Sequence, residues 1–235
     1  MKVICHMISS VDGRLLPDRW TSPEKPLDVT SVYESAAARF PADGWMIGRV
    51  SMGQYDASVT DGEPAGLRAA GSPLPEPFVG ERGGRMLALA FDPKGKLKYS
   101  KPYLATGEHF VAVLSPQVDD AYLASLRRVG VSYIFEGEGE DRLSKALRTA
   151  ESLFGAKMLL LEGGGVINGA FLAAGLIDEL SILIYPGIDG LCGVPSIFSA
   201  QGEPTSLPAQ GQRLELLETQ TEANGMVWLH YAVRR

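Results

Sequence analysis

A strand-like apolar run, a carboxylate and three successive glycines make residues 158–180, MLLLEGGGVINGAFLAAGLIDEL, the chemically richest stretch of this chain. Backbone that must come close to a phosphate cannot carry side chains, and the start of a helix offers unpaired N–H groups and partial positive charge to an anion. Gly163, Gly164 and Gly165 therefore read as one wall of a nucleotide-phosphate cradle; the alternative is that they only make a tight turn between strand and helix. Glu162 sharpens the first reading, because a carboxylate at a strand end just before a glycine turn adds nothing to packing. Its alternative is a helix-dipole or N-terminal hydrogen-bonding role. The pattern departs from the dinucleotide-binding G-x-G-x-x-G, since Asn168 stands where the last glycine would be and the motif lies late in the chain.

Gly48-Arg49-Val50-Ser51 offers a second wall: a glycine for close approach, a guanidinium for phosphate charge, a hydroxyl, and backbone N–H groups if a helix begins there. Lys94-Gly95-Lys96 is a third possible anion contact or an ordinary lysine-bearing turn. Gly137 and Gly139 also follow a strand, but Glu136, Glu138, Glu140 and Asp141 would repel a phosphate, so this stretch reads as a solvated turn. No zinc-deaminase, P-loop, H-E-x-x-H or G-x-S-x-G pattern is present, and His6, His109 and His230 have no carboxylate or cysteine at ligand spacing.

Short apolar runs separated by helical spacing must position these residues. Runs at 3–8, 44–48, 85–92, 110–115, 131–135, 157–161 and 180–185 read as strands, and 120–129 and 141–154 as helices. Ser31-Val32-Tyr33-Glu34 has capping-box form, which predicts a helix over 31–40. Strands separated by helices imply a mostly parallel sheet covered on both faces. Alternation through Met226, Trp228, Tyr231 and Val233 predicts an antiparallel edge strand at the C-terminus. Residues 56–84 contain many Gly and Pro and little periodicity; they read as a long surface loop, a candidate lid.

With 235 residues, 45% hydrophobic and 21% charged, the chain fits a single large domain over 1–235. A net charge of −6 without basic clusters argues against a nucleic-acid or anionic-membrane surface and for a small-molecule partner. No apolar run approaches the ~20 residues that span a bilayer, and 1–14 lack a signal-peptide pattern, which points to the cytoplasm. Cys5 and Cys192 read as buried free thiols.

Three dispersed motifs together resemble the reductase domain of the riboflavin-biosynthesis deaminase-reductases. They are S-x-D-G-R at 10–14, the block Arg39, Asp43, Gly48, Arg49, and E-G-G-G-x-x-N-x-x-F-L-x-x-G-L-I-D-E-L from Glu162, continued by Tyr185-Pro186-Gly187-Ile188-Asp189-Gly190. The resemblance implies a stand-alone reductase with a dihydrofolate-reductase-like three-layer α/β fold, a mostly parallel central sheet and an antiparallel C-terminal edge. It also implies NADPH as cofactor, a homodimer, and hydride transfer to C1 of a ribosylaminopyrimidine phosphate to give a ribityl chain. By the same resemblance, Gly48, Arg49, Val50, Ser51 and Gly163, Gly164, Gly165 would hold the NADPH phosphates. Asp92, Lys94, Lys96 and Ser115 would lie toward the adenosine. Ser10, Asp12, Glu162 and Asn168 would face nicotinamide and substrate, with Asp12 first and Glu162 second as proton donor. Ala36 stands where many members carry His, and Gln54-Tyr55-Asp56 follows where a phosphate-binding element is common, so Arg39, Arg68 and Arg82 are candidates to replace the missing phosphate ligand, which the sequence does not place. A dihydrofolate or pterin reductase, with Glu34 as pterin carboxylate, and a non-catalytic dinucleotide-binding module are the competing readings.

Overall fold

In the computed structural model, residues 1–24, 27–69 and 71–235 are described. In chain order the principal elements are β1 (Lys2–Ser10), α1 (Val29–Ala37), β2 (Gly44–Gly48), α2 (Arg49–Tyr55), β3 (Val59–Asp61), β4 (Leu87–Phe91), β5 (Leu97–Tyr99), β6 (His109–Leu114), α3 (Asp120–Val129), β7 (Ser132–Phe135), α4 (Arg142–Phe154), β8 (Met158–Leu161), α5 (Gly165–Ala173), β9 (Glu179–Tyr185), β10 (Arg213–Thr221) and β11 (Val227–Arg234). They form two compact units, one of Met1 and 43–159, the other of 2–42 and 160–235, so the division falls inside β8. The class is the expected one: α/β, with mostly parallel strands and an antiparallel C-terminal edge.

In the first unit β2, β4, β6 and β7 run parallel in that order. Their side chains are buried on both faces, which is why these runs are continuously apolar and do not alternate. α4 carries its buried face on Leu143, Ala146, Leu147, Ala150 and Phe154, a helical repeat, and packs on β7 with α3. α3 starts under Asp119, whose carboxylate accepts from the Tyr122 amide at 2.8 Å, and stops at Gly130 with φ 88°. Residues 56–69 and 71–84 are more ordered than their composition suggests. β3 pairs antiparallel with β5, Leu67 bridges Val118, and Phe78 bridges Tyr133 with its ring 5.8 Å from the tyrosine's. Glu136 is buried and ion-paired with Arg142, which corrects its reading as part of a solvated turn.

In the second unit β1 and β9 are parallel, β11 is antiparallel to β9, and β10 is antiparallel to β11. The last strand is thus interior, and β10 is the edge that the sequence reading missed: every one of its residues is exposed, so no apolar alternation marks it. α1 begins at Val29, capped by the Asp28 carboxylate on the Ser31 amide at 3.0 Å, in place of the expected capping box at Ser31. It packs Ala36, Val32 and Tyr33 against Leu183, Met226 and Trp228. Beneath it lies a closed polar network: His6 meets Ser181 at 2.9 Å and the Tyr33 carbonyl at 3.2 Å, and the Trp228 indole donates to Ser181 at 2.8 Å. Of the two cysteines, Cys5 is buried as expected and Cys192 is exposed, contrary to expectation, because it stands in a loop and not in a strand. Among the described residues no helix is long and apolar enough to cross a membrane.

The segment 196–200 lies directly on α5. A Cβ at Gly165 would stand 2.2 Å from the Ser196 carbonyl oxygen, and one at Gly169 would stand 2.3 Å from the Ala200 nitrogen. Both obstacles are backbone, so neither can rotate away. Gly165→Ala or Gly169→Ala is expected to cost about 1–3 kcal/mol in urea unfolding; a change below about 0.5 kcal/mol would show that the segment yields freely.

Burial of His6 lowers its pKa from 6.5 to about 4. The unfolded chain therefore takes up the proton first as pH falls. The stabilisation from neutral His6 is complete above 6.5 and is lost as pH drops through 6.5 toward about 4. At pH near ~5 that loss amounts to about 2 kcal/mol. An NMR titration of the His6 ring should give a midpoint near 4, and one near 6.5 would contradict its burial.

Candidate functional site

In the second unit β1 ends at Ser10 and the chain turns through 11–14, with Gly13 at φ 77°. The Ser10 hydroxyl donates to Asp12 at 2.6 Å and accepts from the Arg14 amide at 3.0 Å. Asp12 also accepts from the amides of Asp189, at 3.1 Å, and Gly190, at 2.9 Å, in the loop that leaves β9. These donors, the Ser10 hydroxyl foremost, hold the Asp12 carboxyl well below the usual carboxylate range. Asp12 is therefore an anion across the neutral range and a poor proton donor. Its geometry makes it a fastener between two loops.

Other contacts fasten the same loops. Arg19 pairs with Asp189 through two bonds at 2.8 and 3.0 Å, and the Asp189 side chain is fully enclosed. Arg14 donates to the Val194 carbonyl at 2.9 Å, and Thr21 exchanges two bonds with Ile188, each 3.0 Å. Arg14, Arg19, Asp189 and Thr21 escaped the sequence reading except as parts of turn motifs, because their partners lie more than 160 residues away.

The same loop continues to 196–200 and reaches the glycine turn. Glu162 is half-buried at the end of β8. Its charge, after burial itself, helps push the Cys5 thiol pKa upward. Gly163 has φ 98°, and the Gly163–Gly164 peptide is cis. α5 then starts on Gly164 as N-cap, with no side chain capping it. Asn168, fully buried, donates to the Ile197 carbonyl at 3.0 Å, and its Oδ1 has no partner among the described residues. The structure therefore brings Glu162, Gly163, Gly164, Gly165 and Asn168 together at one helix start, and Ser10 and Asp12 at one strand end. It also supplies a packing reason for Gly165 that the sequence could not show.

In the first unit Gly48 is the N-cap of α2, again without a side-chain cap, followed by Arg49, exposed Val50 and half-buried Ser51. Arg49 is ion-paired with Asp61. Asp92 follows Phe91, the register partner of Gly48, and is fully buried. Its Oδ2 accepts from the Leu97 amide at 2.7 Å, so it shapes the turn that carries exposed Lys94 and half-buried Lys96. Burial raises the Asp92 pKa against these hydrogen bonds. The Ser115 hydroxyl accepts from the Gln117 amide at 3.1 Å.

The arginines considered for a substrate phosphate are all engaged by the chain itself. Arg39 donates to Gln220 at 2.9 Å and Glu222 at 2.6 Å and lies 4.1 Å from the Trp228 ring centroid. Arg68 pairs with Asp120, and Arg82 donates to the Phe154 carbonyl. The proposal of Arg39 as a substrate ligand is thereby weakened: its charge is spent on the β10–β11 hairpin. Glu34 is exposed on α1.

Comparison with known proteins places the chain in a family. Residues 1–228 match the family described as RibD C-terminal domain. A pyrimidine reductase-like protein from Corynebacterium diphtheriae superposes with TM-score 0.68 at 19% identity, covering 100% of this chain and 92% of that one. RibD of Acinetobacter baumannii gives TM-score 0.64 at 18% identity over 99% of this chain, which spans 58% of that protein. The riboflavin biosynthesis reductase of Saccharomyces cerevisiae gives 0.59 at 14% identity, covering 99% and 90%. These likenesses show a shared fold, and the match along nearly the whole sequence establishes that this chain belongs to the RibD C-terminal domain family.

Proposed function

We propose that the chain is an NADPH-dependent reductase of riboflavin biosynthesis, converting the ribosyl group of 5-amino-6-(5-phosphoribosylamino)uracil, or its diaminopyrimidinone analogue, to ribityl. The observation that carries the reading is the family match over residues 1–228. Two related structures, a pyrimidine reductase-like protein and a riboflavin biosynthesis reductase, point the same way.

The residues present fit a dinucleotide. α1 and α3 begin under aspartates that fill their capping positions, whereas α2 and α5 begin on Gly48 and Gly164 with no side-chain cap. Amides at the start of α5 are thus left for an anion's oxygens. Gly163, Gly164 and Gly165 would hold phosphate there, and Gly48, Arg49, Val50 and Ser51 are proposed as further cofactor-binding residues on the sequence resemblance. Bound NADPH supplies the hydride. It is received at ribosyl C1 as the bond from C1 to the ring oxygen breaks, and that oxygen takes up a proton.

Asp12, held as an anion by Ser10 and two amides, keeps the 186–196 loop in place and leaves proton delivery to Glu162. Glu162 stands half-buried at the head of the glycine turn. Absorbance of NADPH should fall with the ribosylaminopyrimidine phosphate and stay constant with dihydrofolate. Consumption with dihydrofolate alone would favour a pterin reductase, and binding without turnover a non-catalytic module. Glu162→Gln is expected to lower kcat roughly a hundredfold or more, and a loss within about twofold would remove it from proton delivery.

The assembly we read as a homodimer. β10 is an open edge strand, with Leu214 and Leu216 55% and 53% exposed, and apolar edges are commonly covered by a partner. Light scattering should give twice the chain mass; a monomeric mass at micromolar concentration would contradict it.

A further inference from the structure

Arg49 is the one arginine in the Gly48-Arg49-Val50-Ser51 motif, and it already holds an anion belonging to the chain itself. Asp61 reaches Arg49 Nη1 from β3, within the Pro/Gly-rich segment 56–84. The geometry that brings it there is rigid. Gly48 and Phe91 are register partners in β2 and β4, so Arg49 and Asp92 leave adjacent strands at one level. Asp92 accepts from the Leu97 amide, which fixes the start of β5, and Asp61 is the register partner of Leu97.

The carboxylate of Asp61 contributes little to keeping β3 in place. Val59 and Thr60 pair with Tyr99 and Lys98, the Gly62 amide donates to the Lys96 carbonyl at 3.0 Å, and Val59 is buried. The Asp61 side chain is 50% exposed and that of Arg49 26%. Half-buried Lys96 adds a second positive charge near Asp61. A carboxylate oxygen and a phosphate oxygen make the same charge-assisted bond to a guanidinium. A carboxylate carried on a fixed hairpin is present at high effective concentration.

We infer that Asp61 is a tethered competitor of the dinucleotide phosphate at Arg49, setting how tightly the site takes a phosphate-bearing ligand. The inference rests on the reading of Arg49 as a cofactor ligand in the proposed function. Binding exchanges the Asp61–Arg49 pair for a phosphate–Arg49 pair and leaves Asp61 to solvent and Lys96. The competitor lowers affinity for the phosphate and leaves contacts elsewhere on the dinucleotide unchanged.

The test is calorimetric titration of inorganic pyrophosphate and of NADPH into wild type, Asp61→Asn, Arg49→Ala and the double variant, with thermal melting to confirm folding. Asp61→Asn is expected to lower both Kd values roughly two- to fivefold, the strength of a half-exposed ion pair. The gain should shrink as added salt screens the charges. In the Arg49→Ala background Asp61→Asn should change nothing, since the two effects act through one contact. Equal or weaker binding by folded Asp61→Asn, while wild type binds NADPH, overturns the inference and leaves the proposed function standing. A gain that persists without Arg49 also overturns it. Failure of wild type and variants alike to bind either probe overturns both.

Discussion

The architecture of the candidate site depends on a steric constraint in the second unit, the contact of two backbones with no side chain between them. At Gly165 and Gly169 the 196–200 segment comes so near α5 that a methyl group has no place. Asn168, between those two glycines on the helix, adds a hydrogen bond to Ile197, and the Ser199 amide donates to the Gly165 carbonyl at 2.9 Å. With this stretch fixed, the preceding loop must pass the end of β1, where the Asp12 carboxylate and Arg14 hold it at Gly190 and Val194. The helix start, the strand end and the loop are therefore joined by one continuous run of contacts.

Charge is distributed on the same plan. The chain is acidic overall, yet within each unit carboxylates close in sequence or pairing to the candidate residues are occupied: Asp12 by a hydroxyl and amides and Asp189 by Arg19 in the second, Asp61 by Arg49 in the first. Each acid is thus offset locally, while the starts of α2 and α5 keep their amides free of capping side chains. Each of those helix starts thus carries partial positive charge despite the net charge of −6.

The elements legible in the sequence were those whose signal is local. Buried parallel strands are continuous apolar runs, α4 repeats its apolar residues at helical spacing, and the E-G-G-G motif marks the β8–α5 junction whatever surrounds it. What escaped depends on partners distant in the chain. β10 is exposed throughout and is defined only by pairing with β11. Arg39 reads as available in the sequence because Gln220 and Glu222 are over 180 residues away, while Glu136 is the exception to distance, paired with Arg142 only six residues on, across the turn into α4. Asp28 and not Ser31 caps α1 because the helix starts at Val29, which places Ser31 inside the first turn, where its amide is the donor to the cap. The glycine turn held both kinds of information. Its residue types suggested an anion, and only the fold revealed that Gly165 also makes room for Ser196.

The proposed function requires this chain to move hydride from a nicotinamide to a ribosylaminopyrimidine phosphate. Incubating the protein with NADPH deuterated at the transferable C4 position and analysing the pyrimidine product by mass spectrometry tests it most directly. The account predicts a ribityl product heavier by one deuterium, with the label on the former ribosyl C1. An unlabelled reduced product, or label delivered only to a pterin, would contradict it.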